Sequence, residues 1–152
     1  MLPLAVALLL AACAPYRLPR HPHSDGSLTN RVVHAYFART YDPYRPPPAF
    51  SQFFLDRDDE VIFVMLLEHP GPAFTVAGTL HRPDGTVDRD FRHEVAPSPP
   101  GYRRTYPQTA RFPISELRAY PGAWKVRLLI DDERAGVYGF RLDDSASVGK
   151  PR

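Results

Sequence analysis

The sequence predicts an all-β domain, an antiparallel β-sandwich of about seven strands. Three observations lead there. Short apolar runs follow one another, and several alternate strictly between apolar and polar residues, the two-residue period of a strand with one buried face. Turn residues punctuate these runs at the spacing that sandwiches use. The 18 prolines are spread along the chain rather than gathered in one block, as expected where turns separate strands. A closed barrel or jelly roll uses the same pattern and is the alternative architecture.

In chain order, the first element is an apolar run from Met1 to Ala12 without a charged side chain. It is short of the roughly 20 residues that a membrane-spanning helix needs, and it fits the apolar core of a secretory signal. The run closes on Leu10-Ala11-Ala12-Cys13, two small residues before the only cysteine of the chain. This resembles the lipobox of bacterial lipoproteins. The resemblance implies that residues 1–12 are a signal peptide, that cleavage precedes Cys13, and that Cys13 carries the lipid. Acyl chains contribute about 0.8 kcal/mol per buried CH₂, so several of them make a lasting membrane anchor. The residue after Cys13 is Ala14 and not Asp, which resembles an outer-membrane address. The expected location is therefore the bacterial cell envelope, lipid-anchored, at the outer membrane in preference to the inner. Residues 13–30 read as a tether, because Pro15, Pro19, Pro22, Asp25, Gly26 and Ser27 break any period.

Residues 31–144 form the expected sandwich and residues 145–152 a polar tail. A first strand lies within Arg31 to Thr40, with Val32, Val33, Tyr36 and Phe37. Tyr41 to Ala49 holds Pro43, Pro46, Pro47 and Pro48 and reads as extended and irregular. Phe50 to Leu55 is a short aromatic segment before the acidic turn Asp56-Arg57-Asp58-Asp59. Val61 to Leu67 is continuously apolar and rich in β-branched residues, which argues for a strand buried on both faces. Phe74 to His81 alternates, Pro83-Asp84-Gly85-Thr86 is a tight turn, and Val87 to Val95 returns as the partner of a hairpin. Tyr102 to Phe112 is a further strand, expected to be interrupted at Pro107. Pro113 to Leu117 reads as one helical turn with Ile114 and Leu117 inward. Trp124, Val126, Leu128 and Ile130 then alternate with Lys125, Arg127 and Leu129. Asp131-Asp132-Glu133 turns the chain, and Val137 to Leu142 returns with Tyr138, Phe140 and Leu142 on one face.

From about residue 50 to 142 this order of elements resembles immunoglobulin-like and fibronectin-like domains. The resemblance implies an immunoglobulin-like β-sandwich, with Trp124 near the place those domains give to their corner tyrosine.

The side chains that bear chemistry point away from catalysis. There is no Gly-x-Ser-x-Gly turn, no His-Glu-x-x-His and no glycine-rich phosphate loop. His21 and His23, with His34, lack the fixed geometry of a metal site. His81 and His93 read as exposed strand histidines. The acidic turns at 56–60 and 131–133 lack the Asp-x-Asp-x-Asp-Gly pattern of a Ca²⁺ loop. No metal and no cofactor is therefore expected. A net charge of +2 makes no electrostatic case for nucleic acid. Two stretches suit a partner. One is Tyr102-Arg103-Arg104-Thr105-Tyr106, which interleaves cations with aromatics. The other is the Pro-rich stretch that carries Tyr36, Phe37, Tyr41, Tyr44, Phe50, Phe53 and Phe54. Candidate contact residues are Tyr36, Tyr41, Tyr44, Tyr102, Arg103, Arg104 and Tyr106. The expected function is a non-catalytic accessory or protein-binding module of the envelope, attached to the membrane through Cys13. A glycan- or peptidoglycan-binding module is the second reading, and an enzyme without a recognisable motif the third.

Overall fold

The computed structural model describes residues 32–45, 47–69, 72–97 and 104–145, without the side chains at 33, 69, 104 and 106. The leader, Cys13, the tether and the end of the polar tail lie outside the described residues. Eight strands and one helical turn follow in order: β1 (Val32–Ala38), β2 (Gln52–Phe54), β3 (Glu60–His69), β4 (Phe74–His81), β5 (Val87–Val95), β6 (Arg104–Pro113), α1 (Ile114–Leu117), β7 (Gly122–Ile130) and β8 (Glu133–Asp143).

They form a three-stranded sheet, β1-β3-β6, and a five-stranded sheet, β2-β8-β7-β4-β5. Immunoglobulin-like domains put strands A, B and E on one sheet and G, F, C and C′ on the other. Lettering β1, β3, β4, β5, β6, β7 and β8 as A, B, C, C′, E, F and G reproduces that arrangement, so the domain is an immunoglobulin-like β-sandwich. No ladder joins the two sheets among the described residues, so the chain does not close into a barrel. The short β2 runs parallel to β8, with Phe53 beside Leu142. All other pairings are antiparallel.

Local sequence explains most of this. The continuous apolar run becomes β3, the central strand of the smaller sheet, and Val61 to Met65 and Leu67 are all buried. In β7, Trp124, Val126, Leu128 and Ile130 point inward and are fully buried, while Lys125 and Arg127 point out. Asp131 and Asp132 both take positive φ, 49° and 65°, the geometry of a two-residue hairpin whose twist suits the flanking strands. Ile130 therefore faces Glu133, and β8 begins at Glu133, four residues before the expected start. In β4, Gly78 leaves room for the Phe91 ring, which occupies the place a side chain there would fill.

One expectation fails for a clear reason. β6 runs through Pro107 without interruption, and Pro107 faces Leu66. β6 is an edge strand that pairs only with β3. A proline is tolerated there because its missing N–H lies on the unpaired side.

The corner before β7 is built on Trp124. Its indole N–H donates to the Tyr120 carbonyl at 2.9 Å, four residues back along the chain. In immunoglobulin-like domains a tyrosine hydroxyl near the start of the same strand makes the equivalent bond to upstream backbone. Here tryptophan does it and also stacks on Phe140, with centroids 6.2 Å apart and planes 7° from parallel. Trp124→Ala should cost about 3–5 kcal/mol in urea unfolding, as truncations of large buried aromatics do. A loss below about 1 kcal/mol would show that the ring does not anchor the core.

Tyr138 supplies a pH test. Burial pushes its hydroxyl up to about 12. A tyrosine in the unfolded chain ionises near 10, so the unfolded state loses its proton first. The stability tied to Tyr138 is then complete below about pH 10 and is lost as pH rises towards about 12. Tyr138→Phe should flatten this alkaline decline without abolishing it, because burial also raises Tyr36 and Tyr41. Denaturation midpoints of wild type and variant across that range are the measurement; parallel curves would remove Tyr138 as a source of the decline.

Candidate functional site

The Pro-rich stretch between β1 and β2 crosses from one sheet to the other and is held at both ends. At its far end the Phe50 N–H donates to the Phe37 carbonyl at 2.8 Å. This bridge lies along the edge of β1, consistent with a segment that cannot enter a central ladder. At its near end stands Arg39. Its guanidinium lies 4.3 Å from the centre of the Phe50 ring, and its Nη2 donates to the Gln52 carbonyl at 3.3 Å. Its Nε is 3.0 Å from Asp58 Oδ1 but is not aligned on it, so that contact is an ion pair rather than a hydrogen bond. The Asp58 side chain is nearly buried, and its other oxygen accepts the Phe54 N–H at 2.7 Å. One arginine thus binds the stretch to the loop after β2.

Between these anchors the chain makes a tight turn. Asp42 Oδ1 accepts the Tyr44 N–H at 2.8 Å, and the Asp42 carbonyl accepts the Arg45 N–H at 3.2 Å. Asp first and Pro second is the order that β-turns favour, because the short carboxylate reaches the backbone and Pro43 presets φ. Tyr44 stands at the tip and is 95% exposed.

At the seam between β1 and β8 is a cleft of about 360 Å³ lined by Ala35, Tyr36, Phe37, Phe50, Tyr138 and Gly139, among others. The lining is aromatic and apolar, suited to a ring or an aliphatic side chain. It holds no paired carboxylates and no nucleophile with a base.

The candidate contact residues separate. Tyr36 is 9% exposed and Tyr41 half-buried; both pack with Ala38, Ile62, Val64 and Leu66 on the outer face of the smaller sheet. Burial raises the pKa of Tyr36, and the neighbouring Tyr41 raises it further. Tyr44 alone of the three is fully presented. Tyr102 and Arg103 lie outside the described residues. Arg104 and Tyr106 belong to β6, opposite His69 and Leu67, at the other end of the sheet from Ala38 and with β3 between. They are not brought to Tyr44.

One expectation about other polar groups changes. His81 and His93 are half-buried, and the Nε2 of each is buried without a hydrogen-bond partner. The Phe91 and His93 rings lie 6.0 Å apart. The acidic turns are spent on structure: Asp58 on Arg39, Glu60 on Arg111 at 2.6 Å, Asp131 on the Thr75 N–H at 2.8 Å, and Asp132 on Arg92 at 3.5 Å. Among the described residues no three His, Cys, Asp or Glu side chains come together as a metal site.

No family model and no curated protein matches this sequence. The solved structures similar in outline include the following two. One is an alkylpurine DNA glycosylase from Pseudomonas fluorescens, with a TM-score of 0.45 and 18% identity over 72% of this chain and 29% of that one. The chain spans under a third of that protein's length. The other is an immunoglobulin-like protein from Pseudomonas aeruginosa, with a TM-score of 0.39 and 13% identity over 74% of this chain and 94% of that one.

Proposed function

We propose that this chain is a non-catalytic binding module, held on a bacterial envelope membrane by a lipid on Cys13, and that its partner is an envelope protein engaged through the Asp42–Arg45 turn and the aromatic cleft at the β1–β8 seam. The observation that carries this reading is Tyr44: a large ring wholly in water on a turn fixed by its own hydrogen bonds. Fixing the turn in advance lowers the ordering cost of association. Tyrosine presents apolar area and a hydroxyl for the loss of few rotamers, which is why it recurs at binding hot spots. The aromatic cleft can receive a side chain in return. The leader sequence supports the anchor, since the Leu10 to Cys13 stretch offers both the cleavage pattern and the thiol.

A glycan platform fits less well. It calls for exposed rings side by side. Of the large apolar side chains exposed among the described residues, the tyrosines are Tyr44 and Tyr120. Tyr120 sits at the corner before β7 with Arg82 4.2 Å above its ring.

Two experiments test the reading. Cells grown with labelled fatty acid should incorporate it into wild type and not into Cys13→Ala; equal label in both removes the anchor. For the surface, Tyr44→Ala is a cleaner variant than one that also changes Tyr41, which packs against the outer cluster. Its melting temperature should stay within about 2 °C of wild type, as for exposed substitutions. The same variant should lose the partner that cross-links to wild type in intact envelopes. If Tyr44→Ala still cross-links to that protein at wild-type yield, the binding surface lies elsewhere.

A further inference from the structure

A second concavity lies on the outer face of the five-stranded sheet. Its lining includes Ala123 and Val137 as floor, Arg82, Pro83 and Gly85 as one wall, and His81, Lys125 and Arg127, around a volume of about 140 Å³. The register explains the hollow. Ala123, Lys125 and Arg127 are alternate residues of β7 and share its outer face. Lys125 lies between His81 of β4 and Gly139 of β8, and Arg127 between Thr79 and Val137. The small residues Ala123 and Gly139 leave space above the sheet, and the turn after β4 rises beside it.

The charges around the hollow do not cancel. Arg82 is bound to Asp88 at 2.8 Å and lies over Tyr120. Arg89 reaches both Asp88 and Glu116. Burial works against ionisation of Asp88, yet the guanidiniums of Arg89 and Arg82 keep its carboxyl below the usual range. Arg141 is paired with Asp143. Asp84, in the turn itself, is taken up by the Thr86 N–H at 2.9 Å and its hydroxyl at 2.7 Å. Asp90 shares a row with Arg127 but stands two strands away. Lys125 and Arg127 are left exposed, with no ion-pair or hydrogen-bond partner among the described residues. The third polar member of the lining, His81, has Nδ1 3.3 Å from the Gly85 carbonyl and a buried Nε2 with no hydrogen-bond partner.

We propose that this hollow is an oxyanion site for a single phosphate group, held by Lys125 and Arg127 beside His81. Guanidinium offers a planar fork to phosphate oxygens and ammonium a compact charge, so the pair suits a tetrahedral anion. The volume is below that of pockets for drug-sized ligands, which limits the ligand to a small anion or the head of a larger molecule. The phosphate can come from an anionic phospholipid headgroup or from a soluble phosphate, and the two sources are separable. The proposal does not depend on the Tyr44 surface.

The test uses the full-length Cys13→Ala chain, so that no lipid anchor intervenes, and titrates it with inorganic phosphate at constant ionic strength. Saturable shifts of the Ala123 and Val137 amide resonances are expected. Lys125→Thr with Arg127→Thr keeps residues that favour strands and should weaken binding by at least about tenfold, since both charge contacts go. Arg118→Ala removes an exposed cation elsewhere and should leave affinity within about twofold, as surface substitutions do. Flotation with neutral phosphatidylcholine vesicles and with vesicles that also contain phosphatidylglycerol identifies the source. A preference for the anionic vesicles that the double variant loses assigns a headgroup; phosphate binding without that preference assigns a soluble phosphate. The proposal is overturned by unsaturable or absent shifts, by undiminished binding in the double variant, by an equal loss in Arg118→Ala, or by a vesicle preference without phosphate binding.

Discussion

Among the described residues the two sheets share no backbone ladder, so the sandwich depends on rings that meet between them. Phe37 of the smaller sheet lies 4.9 Å from Phe140 of the larger. Phe63 lies 5.2 Å from Tyr138 and 6.4 Å from Phe91. Phe140 in turn meets Phe53 at 5.8 Å and Trp124 at 6.2 Å. Aromatic pairs at such separations gain about 0.5–1.5 kcal/mol each beyond the area they bury. Their positions also require space: the Phe91 ring lies against Gly78 and the Tyr138 ring against Gly136, where an added carbon would meet ring atoms within 3 Å. The glycines on one sheet and the rings they accommodate are parts of one packing arrangement.

That arrangement determines where the surface leaves a cleft. β1 belongs to one sheet and β2 to the other, so the chain between them must cross the seam. At the crossing, side chains rather than hydrogen-bonded strands close the core, and a cleft remains beside Tyr138. Arg39 holds the crossing chain through charge, carbonyl and ring contacts at once. The turn that carries Tyr44 follows directly on the chain that Arg39 anchors.

Much of the fold is legible in the sequence because strands record their burial. Trp124 to Ile130 alternates and is found alternating; Val61 to Leu67 does not alternate and is buried on both faces. The hairpin of β4 and β5 follows from its turn, where Gly85 takes a φ of +87°. What the sequence hides is which strands become neighbours. Pro107 reads as a break until β6 is known to be an edge. Phe53 reads as one aromatic among several until β2 is seen beside β8. Tyr36 and Tyr44 look alike in a Pro-rich stretch, yet one lies on the outer face of a paired strand and the other at the tip of a turn. Lys125 and Arg127 read as an ordinary solvated face. Only the distribution of Asp88, Glu116, Asp132 and Asp143 among other arginines shows that these two have no counter-charge among the described residues.

The open edges narrow the ways in which such a domain can associate. A sandwich offers its unpaired edges as templates for strand addition, and natural sheets block them with charge or proline. β5 carries Asp88, Arg89, Asp90, Arg92 and Glu94 along its length, and β6 carries Pro107, Arg111 and Pro113. Phe50 occupies the Phe37 carbonyl at the edge of β1. Backbone pairing with a partner is disfavoured at each of these places, because the incoming strand would meet charge, a missing donor or an acceptor already in use. On the proposals above, recognition would fall to side chains on a turn and on a sheet face. Immunoglobulin-like scaffolds can vary both without disturbing the rings inside, which is why the fold by itself does not name the ligand.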